Sequence, residues 1–121
     1  MIDHLGFAVR DMARSKDFFL KALAPIGYGV VMDFGEAVGL GANGKPDLWL
    51  SVGGANTPPL HLAFVAETRA QVNAFYEAAI AAGGTDNGKP GIRAHYHPNY
   101  YGAFVRDPDG NNIEVVKHAP E

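Results

Sequence analysis

Apolar residues recur along this chain with two different periods, and the periods alternate. Over residues 2–9, IDHLGFAV, one face takes Leu5, Phe7 and Val9 while the other takes Ile2, His4, Gly6 and Ala8. That is the two-residue repeat of a strand. Phe18, Phe19, Ala22 and Leu23 then recur at helical spacing in DMARSKDFFLKAL, with Asp11 placed to cap the helix and Pro25 and Gly27 to stop it. YGVVMDF, EAVGLG and DLWLSV follow, three apolar stretches with strand character, separated by Gly, Asn and Pro. The first half is predicted to run strand, helix, three strands.

TPP at 57–59 breaks this pattern, which then restarts. LHLAFVA reads as a strand, and Thr68 with Gln71 forms a capping box for the next helix. Val72, Phe75, Tyr76, Ala79 and Ile80 give that helix its apolar stripe, and Gly83 and Gly84 end it. GIRAHY, YGAFVRD and NNIEVVK are predicted as strands, with Asp107-Pro-Asp-Gly110 turning between the last two. The order is again strand, helix, three strands. One helix cannot cover both faces of such a sheet, so two halves, about 1–56 and 57–121, are expected to combine into a single α+β domain. The fold class expected is two tandem βαβββ modules forming a curled mixed sheet around a cleft.

The repeat also carries histidine: HLGFAV at 4–9 and HLAFVA at 61–66. Equivalent core strands explain the apolar letters, whereas His4 and His61 fall on the opposite face. On the last strand Glu114 stands between Ile113 and Val115, where a carboxylate either points to water or has a cationic partner. His4, His61 and Glu114 are then either three unrelated polar residues or ligands converging on one metal ion. Two imidazoles and a carboxylate leave coordination positions open, as catalytic sites do, and suit Fe, Mn, Ni or Zn equally.

Composition narrows the field of functions. The chain has 121 residues, 47% hydrophobic and 19% charged, with a net charge of −3 and no cysteine. This is one soluble domain's worth of chain, without disulfide, thiolate nucleophile or Cys-ligated metal. Neither nucleic acid nor an anionic membrane is expected as a partner, since both favour a basic surface. No apolar run approaches a bilayer span of ~20 residues. The opening MIDHLGFAVRDM lacks a signal-peptide layout, so a cytoplasmic location is expected.

Taken together, HLGFAV followed by Arg10-Asp11, HLAFVA, and DPDGNNIEVV at 107–116 resemble the vicinal oxygen chelate superfamily, which includes glyoxalase I, extradiol dioxygenases, fosfomycin-resistance transferases and bleomycin-resistance proteins. The resemblance implies paired βαβββ modules curled round a metal or ligand cleft. It identifies His4, His61 and Glu114 with the family's metal ligands, and it implies a homodimer acting on a small-molecule substrate. Glyoxalase I members carry a fourth ligand on the final strand of the first half. Aligning PDLWLSV with NNIEVVK puts Trp49 or a neighbour there instead, so a complete glyoxalase I site is not expected. The remaining two-His, one-Glu set is similar to dioxygenase or transferase sites.

Further candidates surround these ligands. HYHPNYYGAF, residues 95–104, crowds His95, His97, Tyr100 and Tyr101 around a Pro-Asn turn, and His95, His97 and Tyr100 are the candidate acids and bases. Trp49 and Tyr101 are candidate substrate walls, and Arg93 a candidate for an anionic substrate group. The function expected is a metal-dependent lyase, isomerase, dioxygenase or transferase that chelates two neighbouring substrate oxygens. The alternative is a metal-free protein that sequesters a small molecule, of the bleomycin-resistance type.

Overall fold

The alternating apolar pattern resolves into two four-stranded sheets in the computed structural model, which describes residues 1–121. Strand β1 (Leu5–Val9) is followed by helix α1 (Met12–Leu23), a 3-10 turn at Ala24–Ile26, and strands β2 (Gly29–Asp33), β3 (Ala37–Gly41) and β4 (Leu48–Val52). Strand β5 (His61–Val65), helix α2 (Arg69–Ala81) and strands β6 (Thr85–Ile92), β7 (Tyr101–Arg106) and β8 (Asn112–Lys117) repeat the order. The sheets run β1-β4-β3-β2 (sheet A) and β5-β8-β7-β6 (sheet B). In each, the first strand pairs in parallel with the last, and the other pairs are antiparallel. No helix is long and apolar enough to cross a membrane.

The helix ends follow from local chemistry. The Asp11 carboxylate accepts the Arg14 amide at 3.1 Å. Thr68 Oγ1 accepts from the Gln71 amide, and Gln71 Oε1 accepts in return from the Thr68 amide, each at 3.1 Å. These bonds satisfy amide donors that a helix start leaves without partners.

Each sheet turns one face inward. Phe7 and Val9 of β1, Leu48 and Leu50 of β4, and Ile113 and Val115 of β8 join Phe18, Phe19, Val72 and Phe75 of the helices in one buried cluster. The two helices pack on each other, so both modules share this core. Phe18 and Phe19 meet edge to face at 5.1 Å between ring centres, and Tyr28 meets Phe64 across the modules at 5.4 Å. Phe18 and Phe19, fully buried, each contribute roughly 1.5–3 kcal/mol by leaving water.

A polar tie reinforces the join. The Asp-Pro-Asp-Gly turn between β7 and β8 is knotted by Asp107, which accepts the amides of Asp109 and Asn111. Asp109, nearly buried, then reaches the other module and accepts the Arg10 amide at 3.1 Å. The turn expected from the sequence is therefore also a clamp on the start of α1.

One strand lies elsewhere than predicted. GIRAHY was expected to form the first strand after α2; β6 instead begins at Thr85, directly after the helix-ending glycines, and runs through TDNGKPGI. Gly88 and Pro90 hid it, since these residues normally interrupt strands. Here β6 is an edge strand with two register shifts, so Pro90 can be accommodated and the glycines mark the irregularities. Residues 93–100 form a loop closed by the Arg93 amide donating to the Tyr100 carbonyl at 2.7 Å.

Gly84 is tightly enclosed, by its own module and by Phe18 of the first. A Cβ there would lie 2.4 Å from Val105 Cγ1, 2.8 Å from the Ala79 carbonyl oxygen and 2.8 Å from Phe18 Cε1. The Gly84→Ala variant is expected to lose about 1–3 kcal/mol of stability by overpacking. Urea unfolding should show a lower midpoint at unchanged slope; an unaltered midpoint would mean that the packing around Gly84 yields to a methyl group.

Candidate active site

The inward faces of both sheets are covered by helices, and the outward faces are open. Strand alternation decides what those open faces carry. Next to Ile113 and Val115, which enter the core, Glu114 must point the other way. His61 does the same beside Leu62. Across the parallel pair β5–β8, Ala63 sits opposite Glu114, so His61 lies diagonally within reach of it.

His61 Nε2 stands 2.9 Å from Glu114 Oε1. The Tyr100 hydroxyl donates to Glu114 Oε2 in a close contact. Gly102 clears the space for this, since a Cβ there would be 3.4 Å from Oε2 and 3.3 Å from Tyr100 Cε1. Both carboxylate oxygens are thus engaged. The Glu114 side chain is 2% exposed and that of His61 54%, so a buried acid is approached from solvent through an imidazole. Burial and the neighbouring carboxylate push the Tyr100 phenol well above its ordinary range. Its proton stays in place across neutral pH.

His4 is not brought to this pair. It precedes β1 on the other sheet, exposed, with Nδ1 2.8 Å from Asp3 Oδ1. No three His, Asp or Glu side chains of one chain gather so as to hold a metal ion. The register explains what stands on sheet A instead. Gly6 pairs with Trp49 as Ala63 pairs with Glu114, which puts the indole in the position of the carboxylate. Trp49 lies against Gly39, whose missing Cβ would be 3.0 Å from Cζ2 and Cη2. Phe34, 71% exposed and not singled out from the sequence, runs parallel to the indole at 6.3 Å between ring centres.

The remaining candidates separate. The Asn99 amide donates to His97 Nδ1 at 3.1 Å, which leaves the His97 proton on Nε2, donated to His118 Nδ1 at 2.9 Å. His97 therefore pairs with a histidine near the C-terminus, with its ring 5.4 Å from that of Tyr100. His95 packs on Tyr96 at 4.2 Å between ring centres and lines a pocket of about 290 Å³ together with Arg93, Asn87, Asn112 and Phe104. Tyr101 lies away from the site. It points to the helix side, where its hydroxyl donates to Asn73 Oδ1 at 2.7 Å and the Arg69 guanidinium covers its ring. The pattern YGAFV could have revealed this, because Tyr101 shares the core-facing parity of Ala103 and Val105.

A family model described as the Glyoxalase/Bleomycin resistance protein/Dioxygenase superfamily matches residues 1–115. Among solved structures, a glyoxalase/bleomycin resistance protein from Albidiferax ferrireducens is similar with 27% identity and a TM-score of 0.81, covering 97% of this chain and 98% of that one. A glyoxalase/bleomycin resistance protein/dioxygenase family enzyme from Burkholderia phytofirmans is 19% identical with a TM-score of 0.74, covering 98% of each chain. A glyoxalase-related enzyme from Fulvimarina pelagi is 20% identical with a TM-score of 0.75, covering 97% of this chain and 87% of that one. The last two, at such identities, show likeness of fold alone. No significant match is found among curated proteins.

The bond between phenol and carboxylate has a spectroscopic consequence. A phenol held above its usual value of 10.0 does not contribute to the phenolate absorbance that develops near that pH. Tyr100→Phe should therefore leave that absorbance change unaltered. A group with a raised native pKa stabilises the fold fully below its unfolded value and loses that contribution as pH rises. Above pH ~10 the wild type should consequently lose more stability than Tyr100→Phe. A loss of phenolate amplitude in the variant would show that the phenol ionises normally.

Proposed function

The chain belongs to the glyoxalase/bleomycin resistance protein/dioxygenase superfamily, and from that premise we propose that it is a small metal-dependent enzyme whose divalent cation is held by His61, Glu114 and the partner's His4. The observation that carries this reading is the His61–Glu114 pair itself: a nitrogen and an oxygen donor 2.9 Å apart on an open sheet face. Two neighbouring donors each ~2.1 Å from one six-coordinate ion stand at about that separation. A half-exposed imidazole beside a buried carboxylate also suits Fe, Mn, Ni or Zn. The pair alone is an incomplete site, which is why a second copy enters the proposal.

Sheet A supplies the complement. Its open face presents Met32, 45% exposed, and Phe34 beside Trp49, an apolar surface facing solvent in a single chain. Apposing this face to sheet B of a second chain would bury it and bring His4 toward His61 and Glu114. Each homodimer would then hold two sites, with Trp49 and Phe34 as an aromatic wall opposite the polar cluster.

When bound, the cation supplies Lewis-acid polarisation of two neighbouring oxygens on a small substrate, serving a lyase, isomerase, dioxygenase or transferase step. The protein's part is then assigned by position. Tyr100 keeps its proton and fixes the orientation of the Glu114 carboxylate, leaving Oε1 directed toward His61. His95, exposed at the adjoining pocket, is the imidazole best placed to exchange a proton with substrate. His97, bonded on both ring nitrogens, holds the loop that carries Tyr100.

Metal uptake tests the reading. At a concentration ~100 times Kd, Mn(II) or Ni(II) should stabilise the wild-type protein by about 2.7 kcal/mol, and His61→Ala should abolish that gain. Mixing His4→Ala with Glu114→Gln chains distinguishes sites built across two chains. A mixed dimer regains one intact site only if the ligands come from different chains, so thermal stabilisation by metal should return on mixing. If neither the wild type nor the mixture responds, the metal-free sequestering protein becomes the better account.

A further inference from the structure

Beside the His61–Glu114 pair, β6 is shaped around one guanidinium. Arg93 Nη1 donates to the Gly91 carbonyl at 2.9 Å and Nη2 to the Lys89 carbonyl at 2.7 Å. The group lies over the Phe104 ring, 5.3 Å from its centre. A Cβ at Gly88 would be 3.0 Å from Nη2, and one at Gly91 3.4 Å from Nη1. Gly88 also has φ of 151°, a conformation that L side chains rarely adopt. The bulged segment Gly88–Gly91 is therefore moulded to the guanidinium, at the cost of a regular edge strand.

A long cation on a surface is ordinarily mobile and well hydrated. Here the fork is fixed in advance, with two of its five N–H donors bonded to backbone and three left over. Those donors border the pocket of about 290 Å³ that also exposes His95 and the amides of Asn87 and Asn112. Asn87 Nδ2 donates to Asn112 Oδ1 at 3.2 Å, which occupies that oxygen and leaves the Asn112 amide nitrogen as a further donor. No Asp or Glu lines the pocket. Phe104 links it to the site already described, since the His61 ring lies 6.4 Å from the same phenyl ring, and Phe104 is the cross-strand partner of Glu114.

We propose that this pocket is an oxyanion subsite: Arg93, with Asn112 and His95, binds a carboxylate or phosphonate group at one end of the substrate. The proposal rests on the reading of this sheet face as the substrate-bearing one, and it narrows the substrate class to small anionic molecules. A planar guanidinium matches either group through two parallel hydrogen bonds, which a lysine ammonium cannot reproduce. Pre-fixing the fork lowers the ordering cost of binding.

The test needs no metal. Methylphosphonate and acetate, titrated separately against the metal-free wild-type protein, should give saturable shifts of the Arg93 Nε–H and His95 ring resonances in NMR spectra. The stronger response identifies which oxyanion the subsite prefers. Arg93→Met should weaken that affinity about tenfold or more, while Lys21→Met, with the same loss of charge on the remote face of α1, should leave it nearly unchanged. Should Arg93→Met not fold, Arg93→Lys keeps the charge without the fork and should still bind several-fold more weakly. Absence of saturable shifts, or equal weakening in Lys21→Met, overturns the subsite. Metal uptake without an anion response removes the subsite alone; an anion response without metal uptake upholds it and removes the metal reading.

Discussion

The outward face of the second sheet is organised by one constraint: Glu114 is a carboxylate on a strand with a neighbour on either side. Strand β8 lies between β5 and β7, and Glu114 is 1% exposed even though it points to the open face. An unpartnered carboxylate in such a place would cost several kcal/mol, and proteins meet that cost with hydrogen bonds or an opposite charge. Here an imidazole meets one oxygen and a phenol the other. The loop over residues 93–100 delivers that phenol, and Gly102 gives it room. A site with such fully committed oxygens holds its geometry before any ligand arrives, the condition for electrostatic preorganisation.

The same register on the first sheet leads to a different outcome. Trp49 occupies the place of Glu114, and the demand for a polar partner disappears with the charge. An indole needs area to lie on, and Gly39 provides it. One half of the repeat thus carries an acid with its partners, the other an aromatic platform with an exposed phenylalanine beside it. The two halves share backbone topology yet have divided the chemistry between them. An open apolar platform and an open polar pair in one chain complement each other, which favours a reading in which two copies face one another over a substrate.

Much of this was legible in the chain. The repeated HLGFAV and HLAFVA fixed both first strands, and the opposing parity of His61 and Glu114 against Leu62 and Ile113 placed them on one open face. The strand pattern narrowed the counterpart of Glu114 to Trp49 or a neighbour, and the parallel register of both sheets then singles out Trp49. Three features were not legible, each for a physical reason. Strand β6 is written in turn residues because it bends round a side chain. His95, His97, Tyr100 and Tyr101 are close in sequence but diverge to separate partners, and only Tyr101, the first residue of β7, obeys a strand parity that reveals its direction. His4 lies on another sheet, and no periodicity reports the distance between sheets.

Glycine connects these observations. The sequence has 15 glycines, and some of them serve turns and helix ends. Several instead lie in strands, each beneath a side chain that matters to the site: Gly39 under Trp49, Gly102 beside Tyr100 and Glu114, Gly88 and Gly91 against Arg93. Glycine weakens a strand by ~0.5–1 kcal/mol relative to alanine. Tolerating that penalty where the sheet faces solvent makes little sense for stability alone, since an exposed strand face accepts almost any side chain. It makes sense if large side chains must lie flat on the sheet and keep one orientation. Where a strand glycine sits under an aromatic ring or a guanidinium, the missing methyl is itself part of the site.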